Sequence, residues 1–263
     1  MSEPVRTTAL TRRLTAPNPG PMTLDGTNSW LLGAPGQGDV VVVDPGPEDA
    51  GHLEALAAAG RTALVLVTHR HGDHTAGLDR FAALTGAPVR AVSPAFCRGA
   101  DPLGEGEVLE AAGVRIEVLH TPGHTSDSVC LHLPADAPPG HEPGTGAGSV
   151  LTGDTVLGRG TTVLDHPDGT LADYLRSLHR LAVLGPATVL PGHAQVLADL
   201  GAACERLLEH RGQRLAEVRE ALRALGPGAG TEAVTARIYA DVPESVLPAA
   251  RLSVRAQLAY LGR

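Results

Sequence analysis

The sequence predicts a layered α/β sandwich followed by a small all-helical tail. Short apolar runs rich in Val and Leu recur between helical segments, joined by brief Gly/Pro connections, as in sheets covered by helices. The run Thr62–Thr68 ends in a histidine cluster and passes at once into a helix, the strand-to-helix junction where α/β proteins place their sites. From about residue 206 the apolar residues keep helical spacing only. Residues 1–205 are therefore expected to form one large domain and 206–263 a small second one.

Taken in order, Trp30-Leu31-Leu32 and Val40–Val43 read as strands separated by a Gly/Pro turn. Residues Glu48 to Ala59 read as a helix closing at Gly60. Thr62–Thr68 is a fully buried strand, and a helix with Leu78, Phe81 and Ala82 ends near Gly86. Strands recur at Val89–Val92, Val114–Leu119, Ser128–Leu133 and Ser149–Thr152. The segment Pro134–Gly148 reads as a surface loop far from the histidines. Asp173–Leu184 is a helix with Tyr174, Leu175, Leu178 and Leu181 on one face, and Ala187–Leu190 is a short buried strand. A long helix is expected from about Ala194 to Leu225, with Gly201 and Gly212 marking breaks or close packing. Two tail helices follow Thr231 and Pro243, the second with Leu252, Leu258 and Leu261 facing inward.

Chemistry is concentrated in five histidines and two aspartates. His69-Arg70-His71-Gly72-Asp73-His74 is followed by His124 in Thr-Pro-Gly-His, Asp154 in Thr-Gly-Asp and His193 in Pro-Gly-His. Imidazole nitrogen and carboxylate oxygen are what zinc-like cations take. Seven such donors suit two divalent cations with a hydroxide bridging them, a nucleophile for carbonyl or phosphoryl centres. A lone His-x-His is common on any strand edge; the longer cluster at a strand end is far more specific. Asp44, at the end of Val40–Val43, could accept the ring N–H of a ligand histidine, or simply make an Asx turn or helix cap. Thr161, Thr162 and His166 follow the Asp154 loop and are candidate substrate contacts.

Composition narrows the class. The basic residues are all Arg, with no Lys, which fits a GC-rich genome better than any catalytic need. Three scattered cysteines without a Cys-x-x-Cys suggest reduced thiols in a cytoplasmic protein, and no secretory signal or membrane span is expected. The net charge of −8 and a tail of nine Arg against six acids disfavour a nucleic-acid partner. The tail is better suited to packing or to a homodimer contact. No Gly-x-Ser-x-Gly elbow is present.

The donor series resembles the metallo-β-lactamase superfamily. Asn18-Pro-Gly-Pro-Met-Thr-Leu-Asp-Gly-Thr-Asn28, the Gly158-Arg-Gly-Thr-Thr162 run and the helical tail narrow the likeness, over nearly the whole chain, to the β-lactamase-like protein 2 group. The resemblance implies an αββα sandwich with a winged-helix-like C-terminal domain. It implies that His69, His71 and His124 hold one metal, that Asp73, His74 and His193 hold the other, and that Asp154 bridges them. On that reading Asp73, His74 and Asp154 are the catalytic centre. Zinc is the expected metal, with iron or manganese as alternatives. The group implies either thioester hydrolysis on carrier-bound or small acyl substrates or single-strand endoribonuclease activity. The acidic balance favours a thioester or small ester. A non-catalytic metal-binding interaction protein would require a missing donor, and none is missing.

Overall fold

The computed structural model describes residues 3–138, 140, 141, 144, 146–226 and 228–263. Its first sheet holds β1 (Val5–Arg6), β2 (Thr11–Thr15), β3 (Asn28–Leu32), β4 (Asp39–Val43), β5 (Arg61–Leu66) and β6 (Val89–Arg90), in that spatial order. The second holds β7 (Val108–Ala111), β8 (Val114–His120), β9 (Val129–Leu133), β10 (Ser149–Gly153) and β11 (Thr188–Pro191), ordered β11-β10-β9-β8-β7. Both sheets are mixed: β4, β5 and β6 run parallel, as do β10 and β11, and the other pairings are antiparallel.

Alternation along the strands builds the layers. On β4, Val41 and Val43 point to the other sheet, where they join Leu66, Ile116, Val118, Leu131 and Leu151 in one core. Val40 and Val42 point the opposite way, onto Leu53, Leu56 and Phe81 of α1 (Ala50–Ala58) and α3 (Leu78–Thr85); the one-turn α2 (Gly72–Thr75) lies between these helices in sequence. The outer face of the second sheet, with Cys130, Val150 and Val189, is covered by α4 (Leu171–Ala182) and α5 (Leu200–Leu225). Strands buried on both faces read as unbroken apolar runs, which is why β4, β5 and β11 were legible. The result is the expected αββα sandwich.

Several elements differ from expectation. The strands β1, β2 and β7 carry no apolar run: β2 is Thr-Arg-Arg-Leu-Thr, and β7 is an edge strand of alternating exposed and half-buried residues. The long helix begins at Leu200, where the Asp199 side chain accepts from Ala202 N, because Leu197 first pairs back onto Val189. It is unbroken at both glycines; a Cβ at Gly201 would meet Gly185 O at 3.3 Å, so that glycine serves close packing. In the Pro134–Gly148 segment residues 139, 142, 143 and 145 lie outside the described residues; the described ones from 138 to 146 are exposed, as a surface loop requires, and the start of the segment is anchored. Its Asp136 is buried and accepts from Thr8 Oγ1, Leu10 N and Ser149 Oγ.

The regular elements among the described residues of the tail are all helices, joined by short connections. Val218 and Ala221 of α5 pack with Val234 of α6 (Thr231–Ile238) and with Val254 and Leu258 of α7 (Leu247–Tyr260). Leu258 is buried as expected, whereas Leu252 and Leu261 are half-buried. The helix α5 runs across residues 205 and 206 without interruption.

Candidate metal centre

All seven donors meet at one rim of the sandwich. His69 follows β5 and His71 caps α2, which carries Asp73 and His74. His124 lies between β8 and β9, Asp154 directly after β10 and His193 directly after β11. Both sheets contribute, and they are joined there: Thr27 pairs with His193, and Asn28 N donates to Gly192 O at 2.7 Å. Gly192 is obligatory, since a Cβ would meet Asp154 Oδ1 at 2.5 Å and the His74 ring at 2.9 Å.

The donor atoms form two clusters. His69 Nε2 and His124 Nε2 lie 3.1 and 2.9 Å from His71 Nδ1. His74 Nε2 lies 3.3 Å from His193 Nε2, and Asp73 Oδ2 lies 3.4 Å from the first and 3.1 Å from the second. Asp154 stands between them, with Oδ1 3.4 Å from His74 Nε2 and Oδ2 3.4 Å from His193 Nε2 and 3.8 Å from His124 Nε2.

The opposite nitrogen of every ring rests on an oxygen. Asp44 Oδ2 accepts from His74 Nδ1 at 2.8 Å, so the residue expected to orient a ligand does contact one. Asp44 also accepts from Thr68 N and Thr68 Oγ1, and its φ of +52° is held by that buried network. Thr68 Oγ1 lies 3.0 Å from His69 Nδ1. Gly26 O accepts from His193 Nδ1 at 3.1 Å, and Val163 O from His124 Nδ1 at 2.6 Å. Asp165 Oδ2 lies 3.3 Å from His71 Nε2.

Charge divides the clusters. Burial, reinforced by neighbouring His74, pushes His69 well below the usual histidine range, and burial also lowers His124. Burial opposes a charge on His193 too, but Asp154 and Asp73 raise it to about 9. Burial likewise opposes a charge on His74, yet Asp44 and Asp154 raise it well above the usual range. Against burial, His193 draws Asp73 down to about 2, and His74 and His193 keep Asp154 ionised.

These atoms fit a pair of divalent cations. Five ring nitrogens converge with two carboxylates in a buried space, and Asp154 Oδ1 has no hydrogen-bond partner among the described residues. Three overlapping groups of three donors, His69/His71/His124, His69/His74/Asp154 and Asp73/His74/His193, have their ligand atoms within 4.8 Å of one another.

The candidate substrate contacts separate. Thr162 is buried beneath His124, with Oγ1 2.9 Å from its Nδ1. Thr161 lines a cavity of about 430 Å³ between the 156–161 segment and α5, with Val156, Leu157, Leu197, Leu207 and His210. His166 is half-buried, and its Nδ1 is enclosed without a partner among the described residues. Two contributors escaped the sequence. Asp165 reaches His71 across 94 positions. Arg211, on α5, is buried, lies 5.0 Å over the Tyr174 ring and donates to Thr162 O at 2.6 Å. No local pattern announces either.

Comparison with known proteins agrees with this geometry. Residues 22–137 match the metallo-beta-lactamase superfamily and residues 231–262 the beta-lactamase associated winged helix domain. An atrochrysone carboxyl ACP thioesterase of Aspergillus chevalieri is 32% identical over 89% of this chain and 74% of its own length. The chain belongs to the metallo-β-lactamase superfamily. It is also 28% identical to a beta-lactamase-like protein 2 homolog of Drosophila melanogaster, across 97% of this chain and 89% of the relative. A metallo-beta-lactamase family protein from Thermus thermophilus shares the fold, with a TM-score of 0.75 and 24% identity over 96% of this chain and 93% of that one. A further solved structure, 27% identical over 76% of this chain and 96% of that chain with a TM-score of 0.55, is in a di-iron-bound form. No helix among the described residues is long and apolar enough to cross a membrane.

Proposed function

We propose that this superfamily member hydrolyses thioesters or small esters, with carrier-bound acyl groups as the favoured class. The observation that carries a hydrolytic reading is the complete set of seven converging donors with Asp154 between the two clusters. His69, His71 and His124 would hold one divalent cation, Asp73, His74 and His193 a second, and Asp154 both; zinc is the first candidate and iron the second, given the di-iron neighbour. Two cations so held supply Lewis acidity toward the substrate oxygen and an activated water.

The chain's own groups then define the environment. Asp73 and Asp154 stay ionised, and the oxygen behind each ring would leave the opposite nitrogen's lone pair pointing inward toward a bound cation. His71 and Asp73, with side chains 31% and 28% exposed, mark the open mouth of the centre, while His74 and His193 are closed off from water. An acyl substrate is supported by the cavity behind Thr161, where Val156, Leu157, Leu197 and Leu207 are joined by Arg159, Arg206 and His210, and by the thioesterase relative. That cavity lies against α5, the helix that would join a hydrolase unit of residues 1–205 to a tail of 206–263. The endoribonuclease reading has one observation in its favour. Arg219, Arg223 and Arg263 line a groove on the tail and form no ion pair with a described carboxylate.

The test is turnover of the metal-loaded protein on short- and long-chain acyl-thioesters beside a fluorescent single-stranded RNA. A tenfold or greater preference for thioesters is expected, and Leu207→Trp, which fills the cavity, should raise KM about tenfold for the long chain only. Faster RNA cleavage with a steep salt dependence would instead establish the nuclease.

A further inference from the structure

Four of the five histidines rest their outward nitrogen on a buried oxygen, and His71 alone does not. Its Nδ1 faces His69 and His124, while its Nε2 meets Asp165, whose side chain is 41% exposed. Arg70, between two of the histidines, ion-pairs with the same Asp165 oxygen, and its other amino group reaches Asp168 Oδ2 at 2.7 Å. Asp165 N donates to His124 O at 2.9 Å, and Thr162 and Val163 hold the His124 ring. One short segment therefore touches two of the three imidazoles in this cluster.

We propose that Asp165 is the positioning residue of the three-histidine cluster, accepting the Nε2 proton of His71 so that Nδ1 faces inward as a lone pair, with Arg70 clamping the carboxylate in place. The proposal rests on the metal-dependent reading above. A neutral imidazole carries one proton, and the hydrogen bond made by one nitrogen decides which nitrogen is free to ligate. The rings of His69, His74, His124 and His193 are walled in; His71 is the partly exposed one and lacks that constraint. An aspartate on an exposed loop would turn to water without a fixed cation beside it, and Arg70 supplies that cation from within the cluster's own backbone.

The experiment uses the full chain, with zinc competed against a graded chelator and the histidine rings read by ¹⁵N NMR in metal-free protein. Wild type should take up two zinc ions and show His71 as the Nε2–H tautomer. Asp165→Asn should weaken one zinc 10–100-fold, leave the other within twofold and mix the His71 tautomers. Asp165→Glu should restore most of the zinc affinity. Two undiminished zinc ions in Asp165→Asn would overturn the proposal, as would an Nδ1–H tautomer in wild type. Equal weakening of both ions with loss of thermal stability would show a general structural role instead. The tautomer needs no metal, so wild-type protein that takes up no divalent cation but shows Nε2–H at His71 removes the metal-dependent reading while leaving the hydrogen bond itself established.

Discussion

The two donor clusters share a rim but are built differently. The Asp73/His74/His193 cluster is backed by the sheets: Asp44 at the end of β4 holds His74, and the Gly26 carbonyl just before β3 holds His193. Thr27 Oγ1 also donates to Asp73 Oδ2 at 3.2 Å. The His69/His71/His124 cluster leans on the loop from Thr162 to Asp168 for two of its three rings. The first is rich in charge, with raised histidines beside lowered carboxylates; in the second, burial keeps protons off His69 and His124. A chain can thus assemble adjoining sites by different means, one by backing charged donors with groups at strand ends, the other by closing a loop over its rings.

The sharpest way to break this contrast is Asp154→Ala, because Asp154 is the one residue common to both clusters. Turnover should fall to background while the fold persists, and elemental analysis should find at least one cation lost; near-normal turnover would show the clusters working independently. Asp44→Ala comes next. It strips a buried acceptor from His74, Thr68 N and Thr68 Oγ1, and urea unfolding should register a loss of about 3–5 kcal/mol. Asp165→Asn, at an exposed carboxylate, should cost no more than about 1 kcal/mol. Equal losses would erase the distinction between sheet-backed and loop-backed support.

The contrast also extends to the pH dependence of metal-free stability. His193, at about 9 when folded, and the raised His74 stabilise fully below the unfolded histidine value of about 6.5, and lose that contribution as pH climbs toward 9. The lowered His69 and His124 act oppositely, their contribution being lost as pH falls below about 6.5. Thermal melts in chelator should therefore peak near pH 6.5, falling by about 1 kcal/mol per pH unit for each group on either side. Saturating zinc should remove the alkaline limb, since it displaces the protons responsible. A steady rise from pH 5 to 9 without metal would contradict the charge assignment.

What the sequence disclosed follows the range of the physics involved. The seven donors each end a strand or begin a helix in a short local pattern, so their convergence was readable. Asp44 was half readable: a carboxylate at a strand end can orient a ring or cap a turn, and only packing decides. Asp165, Arg211 and the supporting position of Thr162 were not readable, because each depends on segments 38 or more positions apart meeting in space. The edge strands β1 and β7 escaped for a related reason, since they bury too little to impose an apolar pattern, and the interior β2 escaped because three of its five residues are only half-buried and its sequence is Thr-Arg-Arg-Leu-Thr.

The placement of His193 just after the last strand has a consequence for how the chain matures. During synthesis from the N-terminus, His69, His71, Asp73 and His74 emerge more than a hundred residues before their partner. The contacts that close the centre, Thr27 with His193 and Asn28 with Gly192, also join segments more than 160 positions apart. Loop closure over such distances is slow relative to local helix formation. The nascent chain therefore passes through a long interval holding only a His-x-His-x-Asp-His fragment, and complete coordination becomes available only when the final strand has docked, making it a late checkpoint of folding rather than a seed for it.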